Sequence, residues 1–176
     1  MTKAELFKKA RRIKAIVSDV DGVLTDGSIL YGSGDVELKR FHTHDGLAVK
    51  LARAAGLRVF LISGRSSTAL LKRAEEIGVD HLWQGTTEKG RIFDILLEQQ
   101  HLSPSEICCI GDDLPDLPLL SRAGLSVAVP NAAPDVKKSV DLVTGRNGGE
   151  GVLREVVEII LKARGKWREV LDAYRA

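Results

Sequence analysis

The sequence of 176 residues has little of several features that would assign it to other classes of protein. It contains two cysteines, adjacent at Cys108 and Cys109, so a disulfide framework is excluded. Aromatic residues make up 5% and the formal net charge is +2, which disfavours stacking of single-stranded bases and electrostatic binding of nucleic acid. Apolar runs stay far below the about 20 residues of a membrane span, and no signal peptide is evident. We therefore expect a cytoplasmic protein without nucleic-acid or membrane partners.

What the sequence does have is an ordinary globular composition, with 44% hydrophobic residues, and a length that fits one domain over residues 1–176. Short apolar runs predict strands at Ile13–Ser18, Leu57–Ile62, Ile107–Ile110, Ser126–Val129 and Val140–Val143. Apolar residues at helical spacing predict helices at Leu47–Ala55, Thr68–Ile77, Arg91–Gln100 and Val152–Ala163. The strand runs are continuous, as in strands buried on both faces. This alternation predicts a three-layer α/β domain, a Rossmann-like parallel sheet flanked by helices.

One segment breaks the alternation of strands and helices. Ser28–Leu30 and Val36–Phe41 flank the turn-forming sequence Tyr31–Asp35. The pattern predicts a β-hairpin over about residues 28–41 that protrudes from the main sheet.

Polar residues follow three of the predicted strands directly. They are Asp19 and Asp21 after the first run, Ser63, Gly64 and Arg65 after the second, and Asp112, Asp113 and Asp116 after the third. Because the carboxyl ends of parallel strands meet at one edge of a sheet, we expect these side chains to share a crevice. Crowded carboxylates repel one another and require a cation, and hard oxygen ligands favour Mg²⁺. The alternative is that Asp-Gly and Gly-Asp pairs are ordinary turn residues.

A cation, a hydroxyl group and a lysine together indicate phosphoryl transfer. The sequence contains no G-x-x-x-x-G-K-[ST] loop, so an aspartate nucleophile is the remaining route. Asp19 would attack phosphorus. Asp21 would protonate the leaving oxygen and later deprotonate the water that hydrolyses the aspartyl-phosphate.

These motifs resemble those of the haloacid dehalogenase superfamily. Residues 19–27, DVDGVLTDG, resemble its first motif; Ser63 resembles the second, Lys89 the third and GDDLPD at residues 111–116 the fourth. Within the superfamily, the sequence most resembles a capless subfamily, the 3-deoxy-D-manno-octulosonate 8-phosphate phosphatases. This narrower resemblance rests on residues 41–46, 84–85 and 143–155. The spacing between motifs leaves no room for a cap domain. The resemblance implies a Mg²⁺-dependent phosphoric monoester hydrolase that acts on this sugar phosphate through an aspartyl-phosphate, in lipopolysaccharide synthesis.

The resemblance also implies roles for individual residues. Asp19, Asp112 and the backbone carbonyl of Asp21 would hold Mg²⁺, and Asp113 or Asp116 would hold its waters. Ser63 and Lys89 would bind the phosphoryl oxygens. Further residues are expected to bind substrate: Thr25, Gly64, Arg65, Arg73, Gly148 and Gly149. The two arginines are expected to bind substrate or to form structural salt bridges, and a solvated helix face is the alternative for each.

The family's tetramer implies a homotetramer in which hairpins pack together and a glycine-rich segment, about residues 145–151, completes a neighbour's active site. The alternative for Gly148, Gly149 and Gly151 is a turn before the last helix. Relatives often carry a basic residue within this cluster, whereas this sequence has Glu150. Either Glu150 points away, or the substrate is a nine-carbon, sialic-acid-like sugar phosphate.

Two readings of the remaining features stay open. A phospho-aspartate receiver or an inactive scaffold is the alternative from another class, although the order of the acidic motifs argues against a receiver.

His42 and His44 alternate on a predicted strand, and hairpin packing or substrate contact is favoured over zinc because zinc needs more ligands.

Overall fold

The computed structural model describes residues 1–34 and 36–175 and contains a six-stranded parallel sheet and a separate two-stranded hairpin. The sheet strands are β1 Ala15–Ser18, β4 Arg58–Ile62, β5 His81–Trp83, β6 Ile107–Gly111, β7 Leu125–Ala128 and β8 Leu142–Val143. The hairpin strands are β2 Leu30–Tyr31 and β3 Glu37–Leu38. The helices are α1 Lys3–Arg12, α2 Thr43–Ala54, α3 Thr68–Ile77, α4 Lys89–Gln100, α5 Leu117–Leu120, α6 Pro134–Ser139, α7 Val152–Ala163 and α8 Trp167–Ala173. The predicted α/β class is confirmed.

The sheet has the order β5-β4-β1-β6-β7-β8, with every pair parallel. Helix α2 packs against α3, and α4 packs against α5. With this strand order, the right-handed crossovers that are the rule between parallel strands put the two pairs on opposite faces of the sheet. The direction of winding reverses at β1, so the loops that follow β1, β4 and β6 meet over its carboxyl end. Ligands bind at such reversals in open α/β sheets.

The central strands are buried on both faces, which explains their continuous apolar sequences. Every residue of β1 and β6 is buried, including both cysteines, which pack as small core side chains. Both faces of the sheet are covered by helices, and α7 packs against α1 and α2. None of the helices in the described part of the chain is both long and apolar enough to cross a membrane.

The region between β1 and Lys89 differs in detail from the sequence-based expectation. Helix α2 begins at Thr43 rather than Leu47, because His42 Nδ1 accepts a hydrogen bond from the backbone N–H of His44 (3.1 Å) and caps the helix. The prediction that the two histidines share a strand is therefore wrong. The hairpin ladder has two residues in each strand, and its predicted turn residue Asp35 lies outside the described residues. The described residues between β1 and Lys89 form this hairpin, α2, β4, α3 and β5, so no cap domain is inserted there.

Candidate active site

The loop after β1 is folded tightly around one carbonyl group. The carbonyl oxygen of Val20 accepts hydrogen bonds from the backbone N–H groups of Leu24 (2.9 Å) and Thr25 (3.0 Å), and Gly22 has a φ of 101°. A β-carbon at Gly22 would overlap the carboxylate of Asp112, so this loop approaches β6 as closely as glycine allows. The turn holds Asp19 and Asp21 at the carboxyl end of β1.

Thr25 was expected to bind substrate, but the structure gives it a different position. It is 2% exposed, and its hydroxyl oxygen accepts from the N–H groups of Gly22 (3.4 Å) and Gly27 (3.3 Å). Thr25 braces the loop and does not line the cleft.

A cleft of about 380 Å³ opens above the ends of β1, β4 and β6. Its lining consists of residues from the loops after these strands and of the first residue of α4: Asp19, Asp21, Gly27, Gly64, Arg65, Lys89, Asp112, Asp113, Pro115 and Asp116. The structure thus brings together most of the residues that the sequence motifs singled out, from positions as far apart in the chain as Asp19 and Asp116.

Three carboxylates form the floor of this cleft. Asp19, Asp112 and Asp116 can each present an oxygen within 4.8 Å of the others. Burial and the charge of Asp116 raise the pKa of Asp19, and burial and the charge of Asp19 raise the pKa of Asp112. Crowded, buried carboxylates of this kind are stabilised by a bound cation. An all-oxygen donor set fits Mg²⁺.

Lys89 lies between two of these carboxylates. Its Nζ is 2.6 Å from Asp19 Oδ1 and 2.7 Å from Asp116 Oδ1, and the side chain is 6% exposed. Burial opposes the charge of Lys89, but the two carboxylates outweigh it and raise the pKa of the ammonium group. Lys89 therefore stays charged beside the nucleophile candidate.

Asp116 and Asp113, one or the other of which is predicted to hold metal-bound waters, have partners within the protein. Asp116 Oδ2 accepts from the backbone N–H groups of Asp112 (3.0 Å) and Asp113 (3.3 Å), while Oδ1 binds Lys89. Asp113 is exposed, and its carboxylate caps the following turn at the N–H of Leu114 (2.8 Å). Asp116 therefore supports both Lys89 and the loop that carries Asp112.

Asp21 is held on two sides. Its Oδ2 lies 3.2 Å from Ser63 Oγ, and its Oδ1 forms an ion pair with Lys39 Nζ. Lys39 also pairs with Glu37 Oε1 (3.1 Å), whose other oxygen binds Arg65 Nη2 (2.7 Å). The sequence motifs did not indicate Lys39 or Glu37. Both residues lie in the predicted hairpin, and the sequence pattern there does not show which charged side chains face the cleft.

Arg73 was considered for substrate binding, but it lies outside the cleft. Its guanidinium donates to the carbonyl of His42 (3.1 Å) and pairs with Glu76 (3.1 Å). Arg73 thus forms a salt bridge, one of the two roles that the sequence analysis gives it.

The glycine cluster at residues 145–151, whose contribution to a neighbouring subunit's active site stays a prediction, packs against its own chain. Gly148 and Gly149 are buried, and the N–H of Gly149 donates to the carbonyl of Val23 (3.0 Å). A β-carbon at Gly148 would overlap the carbonyl oxygen of Gly22. These two glycines pack against the loop that carries Asp21, and helices α7 and α8 follow them in the chain.

Glu150 is exposed, and its carboxylate accepts from the N–H of Asn147 (3.3 Å) within the same turn. The side chain is thus engaged locally, which corresponds to the first of the two explanations considered for this residue.

Comparisons with known proteins agree with this geometry. Residues 81–156 match a family described as haloacid dehalogenase-like hydrolase. The chain is 39% identical, over 94% of its length and 88% of the relative, to 3-deoxy-D-manno-octulosonate 8-phosphate phosphatase KdsC of Escherichia coli. It superimposes with a TM-score of 0.94 on 3-deoxy-D-manno-octulosonate 8-phosphate phosphatase of Moraxella catarrhalis, solved with magnesium, phosphate and KDO, at 37% identity and 97% and 98% coverage of the two chains. For the cobalt-bound enzyme of Haemophilus influenzae the TM-score is 0.86, with 39% identity and 90% and 92% coverage.

Proposed function

The chain belongs to the 3-deoxy-D-manno-octulosonate 8-phosphate phosphatases of the haloacid dehalogenase-like hydrolases, and we propose on this premise how its own residues perform the reaction. It is a phosphoric monoester hydrolase that releases 3-deoxy-D-manno-octulosonate and phosphate, a step of lipopolysaccharide synthesis. The observation that carries the assignment is the juxtaposition of Asp19, Lys89 and Asp112 at the end of β1 in a chain with these relatives.

The divalent cation is Mg²⁺, and we assign its protein ligands to the carboxylates of Asp19 and Asp112 and the backbone carbonyl of Asp21. When bound, Mg²⁺ neutralises the negative charge that these carboxylates and a phosphoryl group bring together. Asp116 keeps its place through Lys89 and two backbone N–H groups.

Asp19 is the proposed nucleophile. Its carboxylate oxygen forms a bond to phosphorus as the bond to the sugar oxygen breaks, and Asp21 gives its proton to that oxygen. A water molecule then attacks phosphorus and loses its proton to Asp21, which releases phosphate and restores Asp19. Atoms and charge balance over the two steps.

Lys89 and Ser63 are the proposed ligands of the phosphoryl oxygens. Lys89 is fixed by two carboxylates and is charged, so it offers a cation beside the nucleophile without reorganisation. The hydroxyl of Ser63 is held by the N–H of Arg65 (3.1 Å). Gly64 and Arg65 line the rim of the cleft, where we place the substrate's sugar.

Phosphate release tests this assignment directly. The substrates are 3-deoxy-D-manno-octulosonate 8-phosphate, a nine-carbon keto-deoxy sugar acid 9-phosphate and hexose phosphates, each with Mg²⁺ and with a chelator. We expect Mg²⁺-dependent release with kcat/KM for the eight-carbon acid at least about tenfold above the others, a difference of about 1.4 kcal/mol. A preference for the nine-carbon acid would contradict the substrate but keep the chemistry.

The nucleophile is tested separately with Asp19→Asn and the control Asp135→Asn. The side chain of Asp135 is exposed, pairs with the exposed Lys138 and lies outside the cleft residues, so that variant removes a carboxylate away from the reaction. Asp19→Asn is expected to abolish turnover with an unchanged far-ultraviolet circular dichroism spectrum. Activity near the wild-type level in that variant would contradict the assignment.

We further propose that the chain, acting as one catalytic domain over residues 1–176, assembles as a homotetramer through its hairpins. Five apolar side chains of the hairpin are 46–73% exposed, namely Ile29, Leu30, Tyr31, Val36 and Leu38. Exposed apolar groups in one place favour contact with another protein surface. The cleft-lining residues Gly27 and Arg65 adjoin this hairpin, so a neighbouring copy packed on it would lie beside the substrate. Light scattering tests the assembly: the wild type should have the mass of a tetramer, and Tyr31→Glu should have a smaller mass.

The cytoplasmic location of the protein stays a prediction.

A further inference from the structure

Lys39 is a buried cation for which the reaction outlined above has no role. Its side chain is 2% exposed although it belongs to a hairpin whose apolar side chains are largely exposed. Burying an ammonium group is costly unless it is paired. Within the described residues its acidic partners are Asp21 and Glu37.

The contacts form a chain that ends on the proposed acid–base residue. Arg65 holds one oxygen of Glu37 (2.7 Å), and the other oxygen lies 3.1 Å from Lys39 Nζ. Lys39 in turn binds Asp21 Oδ1. Asp21 Oδ2, on the other side of the carboxylate, is 3.2 Å from Ser63 Oγ.

This arrangement distinguishes the two oxygens of Asp21. An oxygen that accepts from an ammonium group is directed towards that group and cannot present a proton to a substrate at the same time. The other oxygen, Oδ2, accepts from Ser63 Oγ (3.2 Å), but this hydroxyl also lies 3.0 Å from the carbonyl of Arg65 and can donate its one hydrogen there instead. Because Asp21 lines the cleft, Oδ2 is then the oxygen left for proton transfer.

We propose that Lys39 is a positioning residue: by binding Asp21 Oδ1 it fixes the carboxylate so that Oδ2 carries the proton given to the leaving oxygen. The inference rests on the proposed phosphatase reaction and adds to it a residue that acts through Asp21. Lys39 forms no bond to substrate in this role. Its contribution lies in the alignment of the acid, and a misaligned acid loses most of its catalytic effect.

The test compares two esters that differ in their need for an acid. The sugar phosphate has a basic alkoxide leaving group, which must be protonated, whereas 4-nitrophenyl phosphate has a leaving group of low basicity. The variant is Lys39→Met, which keeps the length of the side chain. The matched control is Arg40→Met, since Arg40 is the next residue and pairs with exposed Asp26 instead (2.8 Å). The quantity is kcat/KM, which reports the steps up to formation of the aspartyl-phosphate.

We expect Lys39→Met to lower kcat/KM for the sugar phosphate about 100-fold, the lower range for loss of an aligned general acid, and for 4-nitrophenyl phosphate less than about threefold. Arg40→Met is expected to change neither. Equal losses for the two esters in Lys39→Met would overturn the inference, because they would mean that Lys39 binds the phosphoryl group itself or supports the fold.

Thermal unfolding of each variant shows whether it is folded. If Lys39→Met is not folded, Glu37→Gln takes its place, since it weakens the other contact of the Lys39 ammonium group. The loss of kcat/KM for the sugar phosphate is then compared with the loss for 4-nitrophenyl phosphate in the same way. A wild type that hydrolyses neither ester would overturn the proposed function. A wild type active on both, combined with equal losses in the variant, would overturn the role of Lys39 alone.

Discussion

Asp45 offers a quantitative test of the packing between two helices. It lies in the first turn of α2 and is 3% exposed, and its Oδ1 accepts from the N–H of Arg154 (3.1 Å) in the first turn of α7. The N-cap of α7 is Gly151, which has no side chain to cap the helix, so Asp45 does so from a neighbouring helix. Its Oδ2 is buried without a hydrogen-bond partner among the described residues.

The magnitude follows from the titration of this carboxyl. Burial raises the pKa of Asp45 from its ordinary 3.8 to about 6, against the opposing effect of backbone hydrogen bonds from Arg154 and Leu153. The folded protein therefore binds the proton more tightly than the unfolded chain. This contribution to stability is fully present below pH 3.8 and is lost as the pH rises through about 6. About two pKa units correspond to about 3 kcal/mol.

Asp45→Asn is expected to remove this dependence, because the amide keeps an acceptor for Arg154 and never ionises. The free energy of unfolding of Asp45→Asn minus that of the wild type should rise by up to about 3 kcal/mol between about pH 4 and pH 7. Urea unfolding at several pH values measures it, and titrations shared by both proteins cancel in the difference. Asp135→Asn, at an exposed site, controls for net charge. A difference that stays constant with pH, or falls as the pH rises, would refute the reasoning.

Three further substitutions follow from contacts at the site. Gly148→Ala places a β-carbon against the carbonyl of Gly22 and should lower the free energy of unfolding by about 1–3 kcal/mol. It should also lower kcat, because it displaces the loop that carries Asp21. An unchanged kcat and an unchanged urea midpoint would contradict this packing. Lys89→Met leaves two buried carboxylates unpaired, so we expect a loss of about 3–5 kcal/mol and of measurable turnover, whereas the exposed Lys138→Met should change neither. Glu150→Arg should leave KM for the sugar phosphate within about twofold, since this carboxylate is engaged in its own turn; a larger shift in steady-state assays would place it near substrate.

The central sheet was predictable because its strands are buried on both faces. Such strands read as continuous apolar runs, and the runs that became β1, β4 and β6 are followed by the polar residues that now line the cleft. Edge strand β5 was missed because its three residues, His81–Trp83, are exposed or half-buried and interrupt any apolar run. Helix α1 is not among the predicted helices, although Thr2 and Glu5 form a capping box at its start.

The site was predictable only where short motifs encode it. Asp19 and Asp112 each follow a strand directly and Asp21 comes two residues after Asp19, so topology alone brings them together. Lys39 reaches Asp21 through the fold of a hairpin whose ladder is two residues long, and no local pattern fixes its direction. Glycine spacing at residues 145–151 indicated a close backbone approach, which the structure contains, but spacing does not say which segment is approached.

The hairpin connects the two properties that the sequence treated separately, assembly and catalysis. An isolated two-stranded hairpin is marginally stable in water, and this one exposes its apolar side chains while its one buried cation, among the described lysines and arginines of residues 28–41, binds Asp21. Covering the apolar side chains with another copy would stabilise the hairpin in the position that presents Lys39. Because Lys39 contacts Asp21, that stabilisation would be shared by the carboxylate. If the hairpins form the subunit interface and Lys39 aligns Asp21, the free energy of assembly and the alignment of the acid are coupled through the Lys39 side chain. An oligomer that dissociates would then lose activity towards the sugar phosphate before it loses its fold.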